Sequence, residues 1–340
     1  MKPKGEMGNS VIVIKCGALG DIIRTAYVIT ALARETDAEI TWVTSKQGVD
    51  FLRFNPYISK ITVLGSEDCP IEASAVISLD DELEAASYAS TIRTESVTGA
   101  YTNKNGQIVY TGNSSEWFDM GLLSVYGKDR ADELKKQNRR THAQILGDIV
   151  GVRETSPVFF GSIVAEKRWS EMVGQVVRVV GLNMFAGRRW PTKEMLYGET
   201  IKLIDRMRAE LTERGVEARF VVFCDKSNIE RAKALGATAG GLEIWDCSAG
   251  GLVFAAAIKA CDYVVSTDSL GLHLAIAQRI PNLSYYAPTS AAEIDTFDTG
   301  VKVVSMSADY CSYRADADNS SLTAERVLAA WCSHIEELEW

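Results

Sequence analysis

Two stretches of this chain share a grammar that few folds satisfy. Val11-Ile12-Val13-Ile14 and Tyr263-Val264-Val265 are short apolar runs rich in β-branched residues, each closed by a polar turn containing glycine and followed by a helical pattern. Runs of this kind, without apolar/polar alternation, belong to strands covered on both faces, as in a parallel sheet flanked by helices. Around the first run, strand patterns fall at 39–43, 61–63 and 75–79 and helical ones at 22–35 and 48–54. Around the second, strands fall at 176–180, 219–223 and 283–286 and helices at 193–214, 228–235, 252–260 and 272–278. The alternation predicts an α/β, doubly wound architecture. A chain of 340 residues exceeds one ordinary core of ~100–150 residues, so two such domains are expected. The first is placed at 1–165 and the second at 166–321, with the join inside 152–173. The last segment, 322–340, reads as a helix capped by Ser320 or Ser321.

Two segments depart from the rhythm. Residues 99–111 read as a β-hairpin, because Asn105-Gly106 is the preferred pair for a two-residue type I′ turn. Residues 128–150 read as one charged helix closing the first domain.

Composition removes whole classes of function. With 36 basic against 45 acidic residues the net charge is −9, and no basic half exists to dock on nucleic acid. The apolar runs fall short of the ~18 residues a membrane-spanning helix needs. The amino-terminal stretch is too acidic and too short for a secretory signal, which gives the chain a cytoplasmic address. Seven cysteines, an odd number without a C-x-x-C pair, argue against a disulfide framework or a zinc ribbon, and three histidines argue against a histidine-built metal site.

Three turns have the makeup of binding sites. Lys15-Cys16-Gly17-Ala18-Leu19-Gly20-Asp21 ends a buried strand and opens a helix, where Gly17 and Gly20 allow close backbone approach and the helix start offers N–H groups to an anion. It lacks the G-x-G-x-x-G spacing of the dinucleotide fingerprint. Read alone, Asp21 is either a dipole-compensating cap or a functional carboxylate. Ser266-Thr267-Asp268-Ser269-Leu270-Gly271-Leu272-His273 repeats the arrangement in the second domain, with His273 one turn into the helix. Asp268 or Ser269 as a simple cap and His273 as a core histidine is the competing account. Asn183-Met184-Phe185-Ala186-Gly187-Arg188-Arg189-Trp190-Pro191 follows the first strand of that domain, and its paired guanidiniums suit a diphosphate or a solvated surface.

At these turns the sequence resembles glycosyltransferase family 9, the heptosyltransferases of lipopolysaccharide core synthesis. The resemblance rests on 11–21, on Asn55-Pro56, on 188–191, and on 264–275 followed by Ala287-Pro288-Thr289-Ser290. It implies a GT-B fold, two Rossmann-like domains facing an interdomain cleft, and inverting, metal-independent transfer of a heptose from ADP-heptose to an acceptor hydroxyl, with no cofactor. Asp21 matches the family's catalytic base. Gly17, Gly20, Asn183, Met184, Arg188, Asp268, Ser269, Leu270, Gly271 and His273 fall where the donor is held. The acceptor, whether a glycan, glycolipid, natural product or protein, falls to the amino-terminal domain. Arg139 and Arg140 there suit an anionic acceptor, unless they belong to a helix face paired with its own acids. The resemblance also implies peripheral contact with the inner face of the membrane.

Departures bear on the donor. Leu270 stands where the family usually has glycine, Ala287 replaces another, and the turn after the strand at 219–223 reads Cys224-Asp225-Lys226-Ser227. A different nucleotide-sugar is therefore the alternative. A nucleotide-dependent oxidoreductase or epimerase is the more distant one, disfavoured by the missing fingerprint and the lack of a Tyr-x-x-x-Lys pair. Asp316-Ala317-Asp318, although a D-x-D sequence, lies in a polar loop and reads as solvated.

Overall fold

The computed structural model describes residues 9–174, 177–187 and 190–340. It divides into two compact units, Met1–Phe160 and Gly161–Trp340. In the first, β1 (Ser10–Ile14), α1 (Leu19–Thr36), β2 (Glu39–Thr44), α2 (Val49–Leu52) and β3 (Lys60–Val63) are followed by β4 (Ala75–Ser78), α3 (Leu83–Thr91), β5 (Ser96–Thr102) and β6 (Ile108–Tyr110), then by α4 (Ser115–Phe118), α5 (Lys128–Gln137) and α6 (His142–Val150). The second contains α7 (Ile163–Val173), β7 (Arg178–Asn183), α8 (Tyr197–Glu213), β8 (Ala218–Cys224), α9 (Ile229–Ala239), β9 (Leu242–Asp246) and α10 (Gly251–Lys259). It continues through β10 (Tyr263–Thr267), α11 (Leu270–Ala277), β11 (Asn282–Tyr286), β12 (Gly300–Val304) and α12 (Ala324–Glu337).

Each unit carries one six-stranded sheet, in the orders β3-β2-β1-β4-β5-β6 and β12-β11-β10-β7-β8-β9. The pairings are parallel except for the antiparallel β5/β6 ribbon. Strand β1 shows why the apolar run matters. Val11 and Val13 face a core shared with α1 and α6, whereas Ile12 and Ile14 face the opposite core with α3. Both sides are sealed, so truncating either isoleucine to alanine costs about 2–5 kcal/mol.

In each sheet the winding direction reverses once, between β1 and β4 in the first and between β7 and β10 in the second. Crevices open at the carboxyl ends of strands at such reversals, because the flanking connections leave in opposite directions. This places the turns after β1 and β4, and after β7 and β10, where ligands are expected.

Several local expectations are corrected. The charged stretch 128–150 is two helices: Thr141 and Gln144 form a reciprocal capping box that starts α6 afresh, and Gly151 ends it in the left-handed conformation. The hairpin turn is longer than two residues. Asn103 pairs with Gln107, and Gly106 takes φ +73° at the end of a three-residue loop. The helix expected from 193 begins at Tyr197, after a 3-10 turn at Pro191–Lys193. The final helix is capped by Thr323, whose hydroxyl accepts from the Arg326 amide, rather than by Ser320 or Ser321. Helices α3, α4 and α7 and the edge strands β9 and β12 were not foreseen.

Helix α7 is attached lightly. It has no buried residue, and Ile163 and Val164 are 82% and 81% exposed. Trp169 packs on Trp245 of β9 with ring centroids 4.5 Å apart. Between α7 and α10 lies a cavity of ≈ 520 Å³ bordered by Val177, Lys259 and Asp262. These residues flank the amino ends of β7 and β10, the edge opposite the winding reversal. No helix among the described residues is long and apolar enough to cross a membrane.

Candidate functional site

At the reversal of the first sheet, β1 delivers Lys15 and β4 delivers Asp80. Lys15 Nζ lies 3.5 Å from Asp80 Oδ1, 3.9 Å from Asp21 Oδ2, and donates to the Leu79 carbonyl at 3.2 Å. The Cys16 amide donates to the other oxygen of Asp80, fixing the turn. Asp21 occupies the first turn of α1, where the helix dipole favours a carboxylate. Its Oδ1 accepts from Arg24 Nε at 3.0 Å and Nη2 at 2.8 Å. Asp21 keeps 28% of its side chain in solvent, while Asp80 keeps 2%. Burial, then the charge and hydrogen bond of Asp80, push the Cys16 thiol up to about 12, which removes it as a nucleophile near neutral pH. Gly17 faces open space, so a Cβ there would meet nothing within 4 Å, and Gly20 is buried inside α1.

At the reversal of the second sheet the charges are locked. Asp268 follows β10, is 6% exposed, and is the meeting point of several groups. Lys193 Nζ donates to its Oδ2 at 2.9 Å and to its backbone carbonyl at 2.7 Å, and Thr289 Oγ1 donates to Oδ2 at 2.7 Å. His273 Nε2 stands 3.9 Å from Oδ1. Burial alone would raise this carboxyl. The charges of Lys193 and His273 and the hydrogen bonds of Thr289 and Lys193 outweigh it and hold the group at about 2.

Asn183, at the end of β7, uses its amide nitrogen on Ser266 Oγ and Ser269 Oγ, each at 2.8 Å, and so ties β7 to the turn. Gly271 is required beneath it, since a Cβ would come within 2.5 Å of that amide. Met184 is buried, with its sulfur accepting from Tyr285 at 3.4 Å. The side chains of Asn183 and Met184 are thus committed to the interior, under the turn rather than on its surface. Leu270 opens α11 half-buried and His273 is 7% exposed. Arg188 and Arg189 lie outside the described residues.

Away from both turns, Arg140 pairs with Glu116 and Asp148, and Arg139 donates to the carbonyls of Lys136 and Asn138. Lys128 pairs with Asp132 and Arg130 with Glu133 at helical spacing. In the Asp316-Ala317-Asp318 loop, Arg314 pairs with Asp316, Ala317 is buried, and Asp318 accepts from the Ser320 amide. Among the described residues, no group of three or more His, Cys, Asp or Glu is placed to hold a metal ion.

Sequence reasoning missed Asp80, Arg24, Lys193 and Thr289. Thr289 sits within the Ala287–Ser290 segment singled out above. Lys193 stands two residues beyond Pro191, inside what read as the start of a helix.

The family model of glycosyltransferase family 9 (heptosyltransferase) matches residues 206–323, in the second unit. No curated protein sequence matches the chain. Among solved structures, a glycosyl transferase family 9 protein from Veillonella parvula is 16% identical with a TM-score of 0.73, over 96% of this chain and 97% of that one. The ADP-heptose lps heptosyltransferase II of E. coli is 14% identical with a TM-score of 0.64, over 97% and 100%. The E. coli heptosyltransferase WaaC, solved with ADP-2-deoxy-2-fluoro heptose, is 14% identical with a TM-score of 0.58, over 97% and 99%. At these identities the structural likeness establishes the fold, two α/β units of GT-B type. The family-model match to glycosyltransferase family 9 lies within the second of these units.

Proposed function

We propose that the protein transfers a heptose from ADP-heptose to an acceptor hydroxyl with inversion and without a metal ion, the second unit holding the donor and the first supplying the base. One observation carries this reading: both winding reversals end in a carboxylate with cationic neighbours, and the two carboxylates are fitted for different work. Asp21 is partly exposed on the first turn of a helix. It accepts the proton of the acceptor hydroxyl as that oxygen bonds to the anomeric carbon and the bond to the diphosphate breaks. Asp268, Lys193, His273 and the start of α11 form a fixed polar platform for the donor. Amides at a helix start stabilise the charge that develops on the departing diphosphate. Arg188, outside the described residues, is assigned to the same diphosphate from its place in the sequence. The nucleotide is supported by the two E. coli relatives, whose names carry ADP-heptose or its fluoro analogue.

The test is a thermal-shift panel of ADP, ADP-heptose, UDP, GDP, CDP, dTDP and NADH, followed by turnover assays with and without chelator. A ligand at 100 times its dissociation constant adds ~2.7 kcal/mol of stability. A shift selective for the ADP compounds and turnover indifferent to chelator are expected. A selective shift with another nucleotide would replace the donor, one with NADH would favour an oxidoreductase or epimerase, and loss of turnover restored by a divalent cation would replace the metal-free mechanism.

A further inference from the structure

The Lys193–Asp268 pair poses an electrostatic question. Asp268 lies one residue ahead of Ser269, the N-cap of α11, so a buried carboxylate stands beside the amides that would receive a diphosphate. Left uncompensated, it would repel that ligand through a medium that screens poorly. Lys193 answers this charge from a different element, the 3-10 turn after β7, and grips Asp268 at both its carboxylate and its backbone carbonyl. The lysine side chain is 17% exposed and the aspartate 9%, so solvent does little of the screening. Thr289 contributes a hydrogen bond to the same oxygen but no charge. His273 is 3.9 Å from the other oxygen, beyond hydrogen-bond reach, and is cationic only when protonated.

Resting on the donor reading above, we propose that Lys193 is a positioning and charge-compensating residue for the donor site. By neutralising Asp268 it lets a nucleoside diphosphate approach the start of α11, and by holding the Asp268 carbonyl it sets the path of the turn. The lysine acts through Asp268, and its effect is therefore specific to anionic ligands and conditional on the aspartate's charge.

Calorimetric titration of the full chain with ADP and with adenosine tests this in the wild type, Lys193→Met, Lys193→Gln, Lys193→Arg and the double variant Lys193→Met/Asp268→Asn. Truncating one partner of a buried charge pair at a binding surface weakens binding by about 30-fold or more. We expect that loss for ADP in Lys193→Met, with adenosine little changed, ADP binding kept in Lys193→Arg and largely recovered in the double variant. Lys193→Gln keeps a hydrogen-bond donor and removes only the charge, so it gives the same answer where the Met variant does not fold. Wild-type-like ADP affinity in Lys193→Gln, an equal loss for adenosine and ADP, or no recovery in the double variant would overturn the proposal. A wild-type chain that binds no ADP overturns the donor reading itself, and this inference with it.

Discussion

Asp21 and Asp268 stand at corresponding edges of two sheets wound the same way, yet one is held loosely and the other is locked. Asp21 meets Arg24 and Lys15 on the first turn of α1 with more than a quarter of its side chain in water. Asp268 is enclosed, with Lys193 and Thr289 on one oxygen and His273 near the other. A carboxylate that must take up a proton needs access to the proton's source. One that must only set the local field is better fixed. The same topology therefore gives two kinds of acid side chain, distinguished by partners rather than by position.

The sharpest way to break this comparison is Asp21→Ala. Turnover should fall by about 10²–10⁴-fold while ADP binding and melting temperature stay near wild type. Retained turnover would remove Asp21 as base. Next in size is Asp268→Ala, which leaves Lys193 without its carboxylate inside the second unit. It should lower unfolding free energy by about 3 kcal/mol in urea titration, well beyond what Asp21→Ala costs. Equal losses would show that the two carboxylates are held alike.

The glycines give a smaller contrast. Gly271→Ala drives a methyl into the Asn183 carboxamide and should cost about 1–3 kcal/mol, whereas Gly17→Ala enters open space and should stay within about 0.5 kcal/mol. Equal costs would mean that the turns are equally packed. Smallest is a pH effect confined to the second unit. Tyr263 and His334 share a buried hydrogen bond at 2.6 Å, and burial pushes His334 below its ordinary value of 6.5. The unfolded chain then takes up a proton that the folded chain refuses until lower pH, so stability present above 6.5 is lost as pH falls through the folded value. The urea midpoint should fall between pH 7.5 and 5.5 in the wild type, and less in His334→Gln. Asp268, held at about 2, adds no pH dependence in that window, because its contribution is lost only as pH falls from the ordinary 3.8 through 2.

The strands that carry these edges were legible because sealing both faces of a parallel sheet demands continuous apolar runs, as at 11–14 and 263–265. The edge strands β9 and β12 were not, since Leu242–Asp246 and Gly300–Val304 are only partly buried and show no such run. The break between α5 and α6 was hidden because charged residues continue across it, and only the Thr141/Gln144 spacing marks a new start. At the candidate site, Asp21, Asp268 and His273 announced themselves by following strand and turn directly. Their partners did not: Asp80 meets the Cys16 amide 64 residues away, and Lys193 meets Asp268 across 75. Pairings at such separations are settled by the winding of the sheet, on which local sequence is silent.

Helix α7 gives the second unit an uneven endurance. With no buried side chain of its own, and held by one tryptophan pair on β9, a hydrogen bond from Arg219 to the Val173 carbonyl and its packing on α10, it can open while the sheet beside it stays intact. Its backbone amides should trade hydrogen for deuterium long before those of β7 and β10, and a protease should find its first cut there. The segment that opens the second unit is thus lightly held, and the unit can lose that helix temporarily without losing its fold.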